Sequence, residues 1–394
     1  MRGHIAKKGN YYYIVIETKN EKGRRVRKWI SNEDKQGWKR KKDAQQALPS
    51  IMDQFIKGTY VDLTDDTFKE VMVKWLEDKK TAVRYNTWKS YDWLVTKHII
   101  PHLGEKKVSA LKARDLHYFY HITLLKDSKL SPASIRKTHV IILDALKRLV
   151  MWGELSQNVA SGVELPQRKK AKFEVWDEKQ LELFLEAARE DQYFEAFELA
   201  ASTGMRQSEI LAVERTSVDL YIRMLSVRQA YTLDEVGHSI DDTKNESSER
   251  SIALFDSTVE VLEALFKKIE HEISTNPSYK DSGLIIQTSV GTPLGPRNLS
   301  RNFYRIIKRV QDQQNALKEA GEPYTPFPKI RFHDLRHTHA TILLKKGVHP
   351  KIVQERLGHS SITVTMDTYS HVLPNMQRAV LNSIGRSITG NKSK

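Results

Sequence analysis

His333-Asp334-Leu335-Arg336-His337-Thr338-His339-Ala340 reads as a turn of helix dense in imidazole and guanidinium groups. Residues three apart on a helix share a face, so His333 and Arg336 can point at one ligand together. His333 and His337 also stand at zinc-ligand spacing. A His-Glu-x-x-His site, however, needs glutamate beside the first histidine, and Asp334 stands there instead. No further ligand lies near in sequence, so no metal and no other cofactor is expected.

Three segments around it complete the pattern. Downstream, Leu357-Gly358-His359-Ser360-Ser361 is followed after a short loop by Thr368-Tyr369-Ser370-His371. Upstream lies Thr203-Gly204-Met205-Arg206-Gln207-Ser208-Glu209. There a helix is expected to end near Ser202, Gly204 to turn the chain, and Arg206 to open the next helix. Between them, Thr243-Lys244-Asn245-Glu246-Ser247-Ser248-Glu249-Arg250 reads as a polar turn before a strand at 251–255. Taken singly, the first is an ordinary helix corner and the second a solvated lysine.

Working outward, residues 174–375 read as mostly helical, with a strand-rich insert over 221–254. Asp177 with Gln180 resembles a capping box that opens the first helix. A polar, basic, proline-broken stretch, 156–173, reads as a linker. Before it, 64–155 reads as a bundle of four or five helices. Phe68, Val71, Trp75 and Leu76 have helical spacing, a second helix over 86–100 is expected to end at Pro101, a third covers 115–125, and Ser131-Pro132 caps a fourth. The first 62 residues differ. Tyr11 to Glu17 is aromatic and β-branched, as strands are; Asn20-Glu21-Lys22-Gly23 is a turn signal, and Arg24 to Ile30 reads as the partner strand. A helix follows over 41–57, although Pro49 disfavours its interior. Arg24, Arg25, Arg27, Lys28, Lys35, Lys39, Arg40, Lys41 and Lys42 face only Glu33 and Asp34 here. A small basic sheet of this kind can enter a DNA groove; a solvated charged face is the plainer alternative. The tail, 376–394, reads as a short amphipathic helix, with Met376, Val380 and Ile384 on one face.

Composition narrows the class. The chain has 394 residues, 39% of them hydrophobic, and a formal net charge of +15. That surplus suggests a polyanionic partner, nucleic acid above all. The absence of cysteine excludes disulfides, thiolate catalysis and cysteine-rich zinc sites. Met1 to Lys8 is basic with no apolar stretch after it, so no secretory signal is expected. No apolar run approaches the roughly 20 residues that span a bilayer. A cytoplasmic chain is expected, associated with the nucleoid of a bacterial host when bound.

Together and in this order, the segments T-G-x-R-x-S-E, T-K-x-x-x-S-x-R, H-D-L-R-H-T and L-G-H-S, then Thr368-Tyr369, resemble the tyrosine recombinases, the integrases of phages and conjugative transposons. The likeness covers about 175 to 375. The layout before it is similar to the larger integrases: an N-terminal β-sheet domain for arm-type sites (1–62) and a helical core-binding domain (64–155). The resemblance implies a mainly α, multidomain fold with a mixed α+β, mostly helical catalytic domain. It implies Arg206 and Arg336 as catalytic arginines, Lys244 as the lysine of a hairpin turn, His333 and His359 as site histidines, Tyr369 as the nucleophile, and Glu209 as a support for the first arginine. For DNA contact it leaves Arg24, Arg25, Arg27, Lys28, Lys39 and Arg40. The implied activity is site-specific integration or excision of a mobile element through a 3′-phosphotyrosine bond, by a homotetramer on double-stranded DNA, with DNA-bending or directionality proteins as further partners.

These residue types suit that reaction. Phosphodiester cleavage builds negative charge on the non-bridging oxygens, and two arginines give permanently charged forks to clamp them. Tyrosine, with a reference pKa of about 10, needs arginines to favour its phenolate or a histidine to take its proton; His333 is the candidate. The leaving 5′-oxygen needs a proton, for which Lys244 is the candidate. A type IB topoisomerase uses similar chemistry, and a non-enzymatic DNA-binding regulator would explain the charge but not the full set of site residues. Both stay open as alternatives.

Overall fold

A computed structural model of the chain describes residues 2–19, 25–32, 36–57, 60–61, 64–168, 173–234, 238–242 and 249–369. Lys244, Arg24 and the expected tail helix at 376–394 lie outside these residues. The chain divides into two compact units, Met1–Lys169 and Lys170–Lys394.

The first unit opens with an antiparallel sheet, β1 (Arg2–Lys8), β2 (Tyr11–Lys19) and β3 (Arg25–Ile30), in that spatial order. The hairpin and its partner strand were legible; β1 was not, because its basic residues mask a weak alternation. Ile14, Ile16 and Ile30 are buried with Ala44 of α1 (Lys41–Ile56). Gly3 lets β1 approach that helix, since a Cβ there would lie 2.6 Å from Met52 Sδ. Pro49 is tolerated inside α1: it and Gln45 are exposed, so the carbonyl left without a donor faces water.

A helical bundle follows. Thr67 caps α2 (Phe68–Ala82), whose Glu70 reaches back to the Thr67 N–H at 2.7 Å. Next come α3 (Tyr85–Leu94), a π-helical turn (Val95–Ile99) and α4 (Ile100–Leu103). Pro101 therefore does not end the helix where expected. The wider π turn before it relaxes the i→i−4 ladder that a proline would otherwise break. α5 (Ala113–Tyr118) runs into a second π segment (Phe119–Asp127), and α6 (Pro132–Met151) starts at Ser131, whose hydroxyl accepts the Ser134 N–H at 3.2 Å. Their inward faces bury Trp75, Phe119, Tyr120, Ile142 and Leu146 in one core.

The second unit begins with α7 (Glu178–Ala188), opened by the expected Asp177–Gln180 capping box, then α8 (Phe194–Thr203) and α9 (Gln207–Ile210). The strand-rich insert holds β4 (Val218–Asp219), β5 (Met224–Val227), β6 (Gln229–Leu233), β7 (His238–Asp242) and β8 (Arg250–Ala253). They form an antiparallel β4-β5-β8 sheet and a β6-β7 ribbon. Among the described residues five helices follow: α10 (Asp256–Thr275), α11 (Pro296–Glu319), α12 (Asp334–Lys345), α13 (Pro350–Leu357) and α14 (Ile362–Tyr369). Trp176, Phe184, Phe197, Phe303 and Phe332 fill its aromatic core. Among the described residues, no helix is long and apolar enough to cross a membrane.

Candidate active site

The site is assembled at two helix ends. Helix α8 stops at Thr203 because Gly204 takes a left-handed conformation, φ +68°, which a glycine adopts without steric cost. The turn is also crowded: a Cβ on Gly204 would lie 2.7 Å from His339 and 2.8 Å from Leu357. Helix α13 stops the same way, at Gly358 with φ +67°. Each end exposes carbonyls that lack helical partners, and arginines fill both. Arg336, 3% exposed, donates to Gly204 O at 2.9 Å and to Leu357 O at 2.6 Å. Arg250 donates from Nε to Arg356 O at 2.8 Å. Arg356 donates to Ser202 O and Ala253 O, and from Nε to His339 Nε2 at 3.1 Å. The negative ends of two helix dipoles thus help to hold these cations.

Glu209 is the carboxylate of the cluster. It is 2% exposed, accepts Arg206 N–H at 2.9 Å and Arg206 Nη1 at 2.5 Å, and accepts Arg250 Nη2 at 2.8 Å. Burial would raise its pKa, but Arg250 and then Arg206 outweigh that and hold it below the ordinary carboxylate value. Arg206 keeps a third of its side chain exposed, whereas Arg250 keeps almost none. Desolvation and repulsion from Arg206 bring Arg336 down to about 9, so it still carries its charge at neutral pH. Arg336 feels the charges of Arg206, Arg250 and the Glu209 carboxylate, and Arg356 that of Arg250; a cluster with this surplus of positive charge suits an anion.

Tyr369 ends α14, 1% exposed. Burial pushes its phenol well above the ordinary value, against the pull of Arg336. Its hydroxyl meets Nδ1 of His337 at 2.9 Å. The sequence reading gave the tyrosine's proton to His333; here the hydroxyl's partner is His337, and His333 lies edge-on to that ring at 5.2 Å. Phe173 stacks on the opposite side of His337, with centroids 4.3 Å apart and planes at 19°. His359 Nδ1 meets Thr365 Oγ1 at 2.8 Å, and its backbone is tied to Gln354. Desolvation first, then neighbouring positive charge, lowers all three site imidazoles: His337 to about 4 and His359 to about 3, with His333 lowered as well. Each is neutral at physiological pH.

The structure therefore brings together Arg206, Glu209, His333, Arg336, His359 and Tyr369. It adds four residues that sequence reading left without a role. Arg250 ends the segment T-K-x-x-x-S-x-R, and that place is its sequence signal. His337 was weighed only as a zinc ligand. His339 and Arg356 carried no signal, because their work is to bond carbonyls from distant segments. No group of three or more His, Asp or Glu side chains among the described residues could hold a metal ion.

The basic run of the N-terminal sheet is divided by the strand's two-residue period. Arg25 and Arg27 are exposed, and Arg27 pairs with Glu17 across the ladder at 2.8 Å. Lys28 turns to the other face, its ammonium 4.9 Å from the Tyr60 ring centre. Lys39 and Arg40 are exposed at the start of α1.

Known proteins resemble this chain over most of its length. Residues 174–376 match the phage integrase family, and residues 67–123 match the N-terminal SAM-like domain of phage integrases. A XerC-like tyrosine recombinase of Caldanaerobacter subterraneus is 27% identical over 96% of this chain and 99% of its own. Among solved structures, the Tn1549 transposon integrase in complex with transposon right end DNA superposes with a TM-score of 0.67 at 20% identity, over 81% of this chain and 99% of that one. A lambda integrase tetramer bound to a Holliday junction superposes at 0.56 and 17% identity, over 91% and 92%. These likenesses show a common fold, and the topoisomerase and regulator alternatives gain nothing from them. The chain belongs to the phage integrase family and is a tyrosine-type site-specific recombinase that cuts and rejoins DNA by transesterification.

Proposed function

We propose that Tyr369 is the nucleophile of this reaction, and that Arg206, Arg336 and Arg250 form the seat of the scissile phosphate. The observation that carries the reading is the buried Tyr369 hydroxyl within electrostatic reach of Arg336, which itself interacts with Arg206 and Arg250. Tyr369 Oη attacks phosphorus, the P–O5′ bond breaks, and Lys244 supplies the proton to the departing 5′-oxygen. His359 donates a hydrogen bond to the phosphate, and His333 borders it. The products are a 3′-phosphotyrosine and a free 5′-hydroxyl. The ester keeps the bond energy, so a 5′-hydroxyl from another strand restores the backbone by the reverse path.

Exchange between two duplexes needs four nucleophiles, hence a homotetramer on DNA; the tetrameric lambda relative supports this. Residues 1–62 are assigned to arm-type sites through Arg24, Arg25, Arg27, Lys28, Lys39 and Arg40, and residues 64–155 to core sites. DNA-bending partners and action at the nucleoid of a bacterial host complete the reading.

The test is adduct formation on end-labelled nicked DNA, run on a denaturing gel. The wild type should retain label on the 3′ side of the nick and release a 5′-hydroxyl. Tyr369→Phe should bind DNA and form no adduct. Adducts with Tyr369→Phe would mean that another residue attacks.

A further inference from the structure

We propose that His337, rather than His333, is the general base that receives the Tyr369 proton, and that Phe173 fixes the imidazole for this task. The proposal rests on the reading of Tyr369 as nucleophile and adds the catalytic residue that touches it.

Contact comes first. A general base must lie within hydrogen-bond reach of the proton it takes. His337 Nδ1 stands 2.9 Å from the Tyr369 hydroxyl, whereas His333 meets the His337 ring and not the phenol. With the phenol as donor, as a base requires, Nδ1 is the acceptor and the ring proton sits on Nε2. That tautomer leaves a lone pair aimed at the hydroxyl.

Orientation is fixed from both sides. The Phe173 ring lies parallel to His337 at 4.3 Å and edge-on to Tyr369 at 6.1 Å. The His333 ring stands perpendicular to His337, at 88°. Phe173 comes from the segment before α7, His337 from α12 and Tyr369 from α14, so three separate parts of the unit converge on one proton.

Charge agrees with the assignment. His337 is faced by His333, Asp334, Arg336 and Arg331 from its own helix and the residues leading into it, by His359 from the segment after α13, and by the Tyr369 phenol from α14. Burial is the main cause that keeps it neutral, with His333 and Arg336 adding to it. A neutral imidazole is the form a base must take. When a phosphodiester occupies the arginine cluster, its negative charge offsets Arg336 and raises the basicity of His337 as the substrate arrives. The step balances: the O–H pair of Tyr369 forms the Oη–P bond, the proton goes to Nδ1, the P–O5′ pair leaves with the 5′-oxygen, and ligation returns the proton.

The test uses the full-length protein and a nicked duplex carrying a 5′-bridging phosphorothiolate at the cleavage point, whose thiolate leaves without an acid. The core sequence comes from DNA fragments that the wild type retains covalently. His337→Asn keeps an acceptor for the hydroxyl but cannot take its proton. It should form adduct at least ~10²-fold more slowly at neutral pH, the lower end of general-base effects. Its rate should then rise about tenfold per pH unit from 7 to 9, as phenolate supplies the nucleophile directly. The wild type should stay flat over that range, and His333→Ala, which removes a group bordering the phosphate, should lower the rate while leaving its pH dependence flat. Phe173→Leu, which keeps bulk and loses the aromatic face, should fall between wild type and His337→Asn. An unchanged rate in His337→Asn, or a slower rate with the wild-type pH profile, would overturn the proposal. So would recovery of His337→Asn by the phosphorothiolate, which would place His337 at the leaving group. Adducts formed by Tyr369→Phe in the same assay would instead refute the nucleophile assignment on which the proposal stands.

Discussion

Replacing Glu209 with glutamine removes the charge that holds two arginines and leaves the shape of the side chain nearly intact. The two arms of this carboxylate differ in worth. Arg206 is about a third exposed, so solvent screens that arm and it contributes about 0–1 kcal/mol. Arg250 and Glu209 have side chains 6% and 2% exposed, and breaking such a buried pair by removing one partner costs about 3–5 kcal/mol. The Arg250 arm therefore decides the outcome. For a unit of this size, about 2–4 °C of melting temperature goes with each kcal/mol, so Glu209→Gln should lower the midpoint of the second unit by roughly 6–20 °C. Arg206→Ala leaves Glu209 paired with Arg250. It should melt within a few degrees of wild type yet slow cleavage by at least about 10²-fold, the scale of losing an oriented charge donor. Differential scanning calorimetry and single-turnover cleavage on the same preparations separate the two. A Glu209→Gln protein that melts with the wild type would show that the buried pair does not hold the cluster together.

Further outcomes follow from the same geometry. Gly204→Ala puts a side chain at φ +68° and against His339 and Leu357; the backbone alone costs about 1–2 kcal/mol, and a urea titration that matched wild type would contradict it. His337, His339 and His359 are lowered to about 4, about 3 and about 3. Their folded-state values lie below the unfolded one, so stability is complete above about pH 6.5 and falls as pH drops towards 4. At pH 5 unfolding should take up about three protons from these groups, measurable as the slope of stability against pH; a flat slope would refute the burial of these rings in neutral form. A fragment of residues 1–62 should bind DNA with an affinity that falls steeply with salt, because phosphate contacts release counterions. A protein starting at Thr64 should still cut core sites and fail in full integration. Absence of binding by the fragment at low salt would remove the arm-site assignment.

Sequence alone exposed the parts whose signals are local. The Thr203–Glu209 corner was readable because a helix stop, a left-handed glycine and a helix start follow one another within seven residues. The capping boxes at Thr67 and Asp177 depend on residues three apart, and Asp177 with Gln180 was read as one. What stayed hidden depends on the third dimension. Pro101 was read as a stop because one-dimensional rules do not include a π turn that removes the conflict. β1 was missed because pairing with β2, rather than its own composition, makes it a strand. The basic run looked like one surface until the pleat sent Lys28 to the face opposite Arg27. His337 lies one turn after the motif histidine that caps its helix, but its meeting with Tyr369 joins residues 32 apart, and no spacing rule reaches that far.

The central claim is that Tyr369 carries the DNA. Its most direct test is mass spectrometry of the covalent complex after nuclease and protease digestion, with fragmentation to locate the modified residue. The account predicts a nucleotide joined through its 3′-phosphate to the hydroxyl of Tyr369 and to no other residue. A nucleotide on a different side chain, or one attached through a 5′-phosphate, would contradict it.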